Sequence, residues 1–264
     1  MNYAGYENIL IERKGKVLTA TLNRPEARNA VNPALDAELL RLFRDVDMDK
    51  DCNVLVLTGA GKSFSAGGDI PDMLASIENI ENFENGYKNG KRILQGMLDC
   101  EKPIIARVNG DAVGLGATLA LFCDIIIAAD TARIADPHVK VGLVAGDGGA
   151  VIWPQLVGYA RAKQYLFSGD FLSAKDAQSI GLINFAVPSE ELDALVDEWA
   201  QKLANGAQKA IRWTKATVNI GLKQLLVSMV DAGFALETVS SRSQDHSEAV
   251  NAFVAKRKPQ FTGR

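Results

Sequence analysis

Cysteine and histidine are scarce in this chain of 264 residues, which contains three cysteines and two histidines. Cys52, Cys100 and Cys123 form no CxxC pair. Their number and spacing argue against a disulfide-stapled scaffold and against a structural zinc site built from Cys and His. We therefore expect reduced thiols and no bound metal.

An excess of charge of one sign is also absent, since 32 acidic residues face 29 basic ones and the net charge is −3. This balance argues against a general nucleic-acid binder. The longest charge-free apolar stretch, 112–123, is too short to span a bilayer, and the N-terminus resembles neither a signal peptide nor a transit peptide. With 47% hydrophobic residues, the chain is expected to form one sizeable core in a soluble cytoplasmic protein, without nucleic-acid or membrane partners.

The first 130 residues alternate between strand and helix signals. Two apolar runs at 9–11 and 17–22 flank Lys14-Gly15 and predict an antiparallel hairpin. Asn32 is a candidate N-cap, with Pro33 at the first position of the helix that follows. Further short apolar runs predict parallel strands buried on both faces and joined by helices, at 54–57, 104–108 and 125–127.

The pattern changes towards the C-terminus, where strand-like runs stop after about residue 189. Four segments have helical spacing, at 189–204, 207–220, 222–241 and 245–256. We therefore predict an α/β body at 1–195 and a helical region at 196–264.

One alternative is a nicotinamide-dependent oxidoreductase. A glycine-rich segment at 110–116 follows a predicted strand, and Asp130 ends the next one, as in dinucleotide-binding sites. Tyr159 and Lys163 resemble the catalytic pair of short-chain dehydrogenases. However, only some forty residues separate the glycines from Tyr159, which is too few for that fold, and the N-terminal hairpin stays unexplained.

Several segments in a fixed order carry a stronger resemblance. Together they are similar to the crotonase (enoyl-CoA hydratase/isomerase) superfamily over nearly the whole chain. The resemblance implies an α/β fold, the crotonase-type ββα spiral, with a helical C-terminal region for trimerisation and completion of the CoA site. It also implies a homotrimer or a dimer of trimers. The matching segments are 22–30, 64–70, 108–124, 146–149, 168–170, 174–177, 181–183 and 253–258.

The resemblance implies an oxyanion hole for a thioester enolate. Glycine-rich turns after strand ends let backbone N–H groups point into a pocket, and two such donors aimed at one carbonyl stabilise the enolate. By position the donors are the amides of Ala66 and Leu115. By the same comparison, the residues that bind CoA are Ala27, Arg28, Gly68, Asp69, Ile70, Phe253 and Lys256. The basic run at 256–258 is equally consistent with a solvated tail.

The two glutamates with which ordinary hydratases of this superfamily add water are missing. Thr118 occupies the first matching position and His138 the second. We expect His138 and Asp147 to replace them as catalytic groups, because imidazole is a base near neutral pH and a carboxylate can orient it or take part itself. Structural roles for both, such as an N-cap at Asp147, stay open. The other histidine, His246, lies in a polar helix and is expected to be exposed and without a role.

The predicted function is chemistry on an acyl-CoA thioester through a stabilised enolate, in the hydratase/isomerase class. CoA is then part of the substrate, and no separate cofactor is expected. Two alternatives stay open: a carbon–carbon hydrolase that uses the His/Asp pair on a β-dicarbonyl compound, and a non-catalytic binder of CoA esters. The acyl group itself cannot be inferred, and the candidate walls of its pocket are Met73, Ile77, Phe83 and Trp153.

Overall fold

A computed structural model describes the backbone of residue 1 and residues 3–264, and the side chains of these residues except 78, 80 and 82–87. Its strands form a six-stranded sheet in the order β1-β2-β3-β5-β7-β10 and a four-stranded sheet in the order β4-β6-β8-β9. The strands are β1 (Ile9–Lys14), β2 (Val17–Leu22), β3 (Val54–Gly59), β4 (Ser63–Ser65), β5 (Ile104–Val108), β6 (Asp111–Val113), β7 (Ile125–Ala129), β8 (Arg133–Ala135), β9 (Leu172–Ser173) and β10 (Phe185–Val187).

Helices connect the strands and dominate the C-terminal part of the chain. They are α1 (Pro33–Met48), α2 (Ile70–Glu78), α3 (Ile80–Asp99), α4 (Leu115–Leu121), α5 (Gly149–Ser168), α6 (Ala174–Ser179), α7 (Leu192–Ala204), α8 (Gln208–Ser240) and α9 (Gln244–Val254). Two short 3₁₀ turns, Pro25–Ala27 and His138–Val141, lie in loops.

A ββ step repeats three times along the chain. In the pairs β3/β4, β5/β6 and β7/β8, the first strand joins the large sheet and the second joins the small one. Within each sheet these strands run parallel to one another, and helices follow each pair. The predicted ββα spiral is therefore confirmed. The stacked turns also place the ends of β4, β6 and β8 side by side.

The N-terminal predictions are confirmed as well. β1 and β2 pair antiparallel from Ile9 opposite Leu22 to Lys14 opposite Val17. The side chain of Asn32 accepts a hydrogen bond from the amide of Leu35 and so caps α1, with Pro33 at its first position. β3 is buried along its whole length, as its unbroken apolar run predicts.

The helical region differs from the prediction in two ways. Residues 207–220 and 222–241 are not two helices but the single helix α8, in which Gly221 lies in the interior. A glycine lowers helix propensity by only about 1 kcal/mol, which the packing of a long helix outweighs. In addition, the predicted boundary at 195/196 falls inside α7, which packs against β3, β5 and β7 of the large sheet. In the part of the chain that is described, no helix is long and apolar enough to cross a membrane.

Candidate active site

Two glycine-rich loops meet where β4 and β6 end. Gly67 has a φ of +87°, and a Cβ at this position would lie 2.6 Å from the carbonyl oxygen of Val113 and 3.4 Å from the amide nitrogen of Leu115. Only glycine permits both this backbone conformation and this close approach. The loops at 65–68 and 113–116 are therefore held against each other at the C-terminal edge of the small sheet.

The free amides at this meeting point belong to Gly68 and Leu115. The predicted donor Ala66 already gives its N–H to the carbonyl oxygen of Arg28, at 2.9 Å. The amides of Gly68 and Leu115, by contrast, have no acceptor among the residues that the structure describes. Leu115 is the first residue of α4, where N–H groups lack intrahelical acceptors and carry the positive end of the helix dipole.

Two cavities meet at these amides. A smaller one, of about 460 Å³, extends towards α2, α3 and α8. A larger one, of about 760 Å³, extends towards the loop after β2 and the C-terminal end of α9. Both are lined by Gly68, Asp69, Met73, Leu115 and His138. A ligand that fills both cavities therefore passes directly in front of the two free amides.

Most residues predicted to bind CoA line the larger cavity. Those that do are Ala27, Arg28, Gly68, Asp69, Ile70 and Phe253. Lys256 is not among its lining residues, whereas the neighbouring Arg257 is, with its Nη1 2.5 Å from Oε1 of Glu248. Asp69 occupies the N-cap position of α2, but its carboxylate accepts a hydrogen bond from Arg24 at 3.0 Å and makes no cap bond.

His138 lies between two carboxylates. It begins the short turn after β8, and its ring is buried. Its Nδ1 forms a short hydrogen bond with Oδ1 of Asp136, and its Nε2 lies 3.4 Å from Oδ2 of Asp147. The structure thus brings together the two predicted catalytic side chains. It adds Asp136, a buried residue that the sequence prediction gave no role.

Asp147 is held by three elements at once. Its Oδ1 lies 3.4 Å from the hydroxyl of Thr118 on α4 and 3.4 Å from the amide of Gly149 at the start of α5, while its Oδ2 faces His138. The N-cap of α5 is Gly148, not Asp147. The contact of Asp147 with the amide of Gly149 therefore resembles an N-cap bond. It does not explain why the other carboxylate oxygen of Asp147 faces His138.

The pKa values of His138 and Asp147 are shifted in opposite directions by their mutual attraction. Burial alone would lower the pKa of His138, but the carboxylates of Asp147 and Asp136 outweigh it and raise that pKa well above 6.5. Burial likewise opposes ionisation of Asp147, and the imidazolium nevertheless holds the pKa of Asp147 below its usual value. Both shifts favour an imidazolium at position 138 beside a carboxylate at position 147, a pair that can donate and accept a proton.

The same three side chains have the spacing of a metal site, since one ligand atom from each of Asp136, His138 and Asp147 lies within 4.8 Å of the others. A histidine must be neutral to bind a metal ion, but both ring nitrogens here face carboxylates that favour the protonated form. The arrangement fits proton transfer better than metal binding.

Comparison with known proteins decides the family. The family model for enoyl-CoA hydratase/isomerase matches residues 12–264. The crotonyl-CoA hydratase of Syntrophomonas wolfei is 37% identical over 264 residues, which cover 98% of this chain and 99% of that protein. The chain belongs to the enoyl-CoA hydratase/isomerase family.

Two further relatives show the breadth of the likeness. The 1,2-epoxyphenylacetyl-CoA isomerase of Escherichia coli is 35% identical, with 98% of this chain and 99% of that protein covered. The crystal structure of an enoyl-CoA hydratase/isomerase from Mycobacterium paratuberculosis superposes with a TM-score of 0.90 at 35% identity, covering 94% of this chain and 99% of that one. The predicted membership of the crotonase superfamily and the predicted fold are thus confirmed.

The oxidoreductase alternative fits neither the family nor the topology. The strand before the glycines, β5, leads directly into β6 of the other sheet and not into a helix. Tyr159 is exposed on α5. The resemblance of these glycines to a dinucleotide-binding loop is therefore coincidental.

The predicted walls of the acyl pocket are only partly found at the site. Met73 lines both cavities. Ile77 lines neither, and Trp153 is completely buried in the core. The side chain of Phe83 lies outside the described residues.

Glu237 is a buried acidic residue at the site to which the sequence prediction gave no role. It lies on α8, is 6% exposed and lines the smaller cavity. Burial, together with the nearby Asp147 and Asp136, raises the pKa of Glu237 to about 8, although His138 opposes the shift. A signal for its burial was present, because Leu226, Val230 and Phe234 recur at helical spacing on the same face.

This burial predicts a pH-dependent loss of stability. Between the ordinary pKa of 4.5 and about 8, folded Glu237 holds a proton that the unfolded chain releases, so the free energy of unfolding falls as pH rises. We expect Glu237→Gln to gain stability relative to the wild type across this interval, by up to about 1.4 kcal/mol per pH unit. Urea unfolding of both proteins at pH 5 and pH 8 measures it. An equal stability difference at the two pH values would contradict the prediction.

His246 is buried, and the expectation that it is exposed is wrong. It is 2% exposed on α9, lines the smaller cavity and places its Nδ1 2.6 Å from the carbonyl oxygen of Val141. Polar neighbours in sequence hid the fact that His246 shares the buried face of α9 with Ala249 and Val250. Through Val141, His246 holds the turn that begins with His138.

We therefore expect His246→Leu to lower the free energy of unfolding by about 1 kcal/mol, because the partly buried carbonyl group of Val141 loses its donor. His246→Asn, which keeps a donor on a shorter side chain, should lose less. Denaturant unfolding of both variants measures the difference. Equal stability of His246→Leu and the wild type would show that the bond to Val141 contributes nothing.

Proposed function

We propose that the protein is an enoyl-CoA hydratase, which adds water across the conjugated double bond of an acyl-CoA thioester. The observation that carries the proposal is the juxtaposition of two free amides with an oppositely charged His/Asp pair where two cavities meet. The relative from Syntrophomonas wolfei, which is a crotonyl-CoA hydratase, supports it.

The amides of Gly68 and Leu115 would bind the thioester carbonyl oxygen. This oxygen gains negative charge as water attacks the β-carbon, and each donor of such a pair lowers the barrier by about 3–4 kcal/mol. Gly68 takes the place of Ala66 in this role, because the amide of Ala66 is bonded to Arg28.

Asp147 and His138 would move the two protons of hydration. The carboxylate of Asp147 removes one proton from water as its oxygen bonds to the β-carbon, and Nε2–H of His138 delivers one to the α-carbon of the enolate. Protonated Asp147 then returns its proton to Nε2, 3.4 Å away, which restores the starting charges. Asp136 fixes the ring orientation through Nδ1.

CoA would lie in the larger cavity, between the loop at 27–28 and the C-terminal residues near Phe253. Arg257 lines the same cavity and is the better-placed cation for the nucleotide phosphates than Lys256. In this scheme CoA is part of the substrate, and every proton is carried by a side chain. The proposal therefore includes no resident cofactor.

Mass spectrometry and chromatography of products test the proposal. After incubation with crotonyl-CoA, we expect an intact thioester heavier by one water. An unchanged mass with a new retention time would replace hydration by isomerisation, the activity of the Escherichia coli relative. Cleavage of a β-ketoacyl-CoA into two fragments, without hydration of crotonyl-CoA, would favour carbon–carbon hydrolysis. No product from any ester would indicate a CoA-ester binder.

We further propose that the protein acts as a homotrimer or a dimer of trimers. The helical C-terminal region exposes large apolar side chains on α8, among them Trp213, Val218, Val227 and Val239. Exposed apolar surface of this kind is typical of subunit interfaces. Light scattering coupled to size exclusion should give three or six times the chain mass of 28.4 kDa, whereas a monomer would overturn the proposal.

A further inference from the structure

The smaller cavity contains buried carboxyl oxygens that lack partners. Oε2 of Glu237 is inaccessible and has no hydrogen-bond partner in the described part of the protein, and the same holds for Oδ2 of Asp72. Both residues line this cavity. A buried carboxyl group with an unpartnered oxygen costs free energy. Because both carboxylic residues also line this cavity, a ligand group that bonds to either of them would offset part of that cost.

The carboxyl group of Glu237 packs against the loop that contains Gly146. Gly233, one turn earlier on α8, packs against Gly146, and a Cβ on Gly146 would lie 2.2 Å from the carbonyl oxygen of Gly233 and 2.9 Å from Oε2 of Glu237. The carboxyl group therefore lies against the loop that carries Asp147.

Asp36 and Asn89 add further polar groups to the lining of the smaller cavity. Asp36 is buried and accepts a hydrogen bond from the side-chain amide of Asn89 at 2.6 Å, and both residues line the smaller cavity. A plain alkyl chain in this cavity would cover these groups with methylenes and give them no hydrogen bond, which is unfavourable. An acyl group that carries its own oxygen would complete the bonding.

The negative charge of the smaller cavity limits which oxygen-containing group the acyl chain can carry. Asp147 is ionised, and burial raises the pKa of Asp36 only to about 6, so at neutral pH the cavity holds negative charge and repels a carboxylate on the acyl chain. Glu237 retains its proton at this pH and can both donate and accept a hydrogen bond. An uncharged hydroxyl or keto group satisfies these conditions.

We propose that Glu237 binds an uncharged oxygen on the acyl chain, so that the enzyme selects a hydroxylated or keto-substituted acyl-CoA over a plain alkyl one. The inference rests on the proposed function in one respect, namely that the ligand is an acyl-CoA ester with its acyl group in the smaller cavity. It does not require that hydration is the reaction.

Saturated esters test the inference without catalysis. Isothermal titration at pH 7 would compare hexanoyl-CoA with its 4-, 5- and 6-hydroxy derivatives and with adipoyl-CoA. We expect at least one hydroxy ester to bind about tenfold more tightly than hexanoyl-CoA, the effect of one good buried hydrogen bond. Adipoyl-CoA should bind more weakly than hexanoyl-CoA. If no hydroxy ester binds more tightly than hexanoyl-CoA, the proposal is wrong.

Two substitutions at Glu237 attribute the preference to this side chain. Glu237→Leu should abolish the tenfold advantage, whereas Glu237→Gln, which keeps both hydrogen-bonding functions, should retain most of it. Thr238→Val is the matched control, because Thr238 is on the same helix and lines neither cavity, and its hydroxyl donates to the carbonyl oxygen of Phe234. A hydroxy-ester advantage that persists in Glu237→Leu would also overturn the proposal.

Failure of the inference and failure of the proposed function give different results. Saturated esters cannot be hydrated, so their binding reports only on the cavity. Hydration of crotonyl-CoA, measured separately, reports on the His138/Asp147 pair. Turnover of crotonyl-CoA without any hydroxy-ester preference would reject the role of Glu237 alone, whereas the preference without turnover would reject the reaction alone.

Discussion

Asp147→Asn is expected to reduce kcat by about a thousandfold with little change in KM, because general acid–base groups contribute roughly 10²–10⁴ to the rate. Asparagine retains the shape of the side chain and a carbonyl oxygen for Thr118 and Gly149. It cannot remove a proton from water. Steady-state hydration of crotonyl-CoA by the purified variant measures the loss.

The pKa of His138 and the thermal stability of Asp147→Asn serve as controls for this prediction. Asp147 stabilises the imidazolium of His138, so Asp147→Asn should also lower the pKa of His138, which NMR titration of the ring protons can follow. Thermal unfolding should show that the variant is folded. If kcat falls by less than tenfold while the pKa of His138 moves, Asp147 only tunes the histidine and is not the base.

Leu115→Pro should lower kcat/KM by about 10²–10³, the typical cost of removing one oxyanion-hole donor. Proline lacks the amide N–H, and Leu115 is the first residue of α4, a position where proline is well tolerated. The preceding Gly114 has a φ of +53° and, as a glycine, adapts readily to a following proline. The substitution thus replaces the N–H with the ring Cδ, so the loss of activity should be at least that of the missing donor.

Leu115→Ala provides the comparison, because it truncates the same side chain and keeps the amide. We expect it to retain activity within about tenfold of the wild type, the scale of one lost apolar contact. Circular dichroism and the unfolding midpoint would establish that both variants fold. Equal activity of the proline and alanine variants would mean that the amide of Leu115 does not stabilise the enolate.

The parts of the site that could be predicted from sequence are those encoded by local pattern. Glycines after strand ends identified both loops, and the alignment of His138 with an acid–base position identified the histidine. The prediction of Ala66 as donor differs from the arrangement found because the free amide depends on a bond across the loop. The carbonyl oxygen of Arg28 accepts a hydrogen bond from the N–H of Ala66, whereas the N–H of Gly68 stays free. No local sequence pattern indicates which of the two amides is bonded.

The missed residues owe their positions to distant packing. Glu237 and His246 come from the last thirty residues and reach the site because α8 and α9 fold back onto the loops at 138–147. A single acidic residue on an apolar helix face signals burial but not what it faces. Asp136 was passed over for a different reason, since its partner is only two residues away and its role depends on the ring orientation of His138.

The contact of α9 with the turn at 138–141 has a consequence for biosynthesis. His246 anchors Val141, and Phe253 and Arg257 help to enclose the larger cavity, so both cavities are completed by α9 and the residues that follow it. While α9 is still inside the ribosome, the spiral can fold, but the turn bearing His138 lacks its anchor, His246. Catalytic competence should therefore arise only after α9 has left the ribosome and packed against this turn.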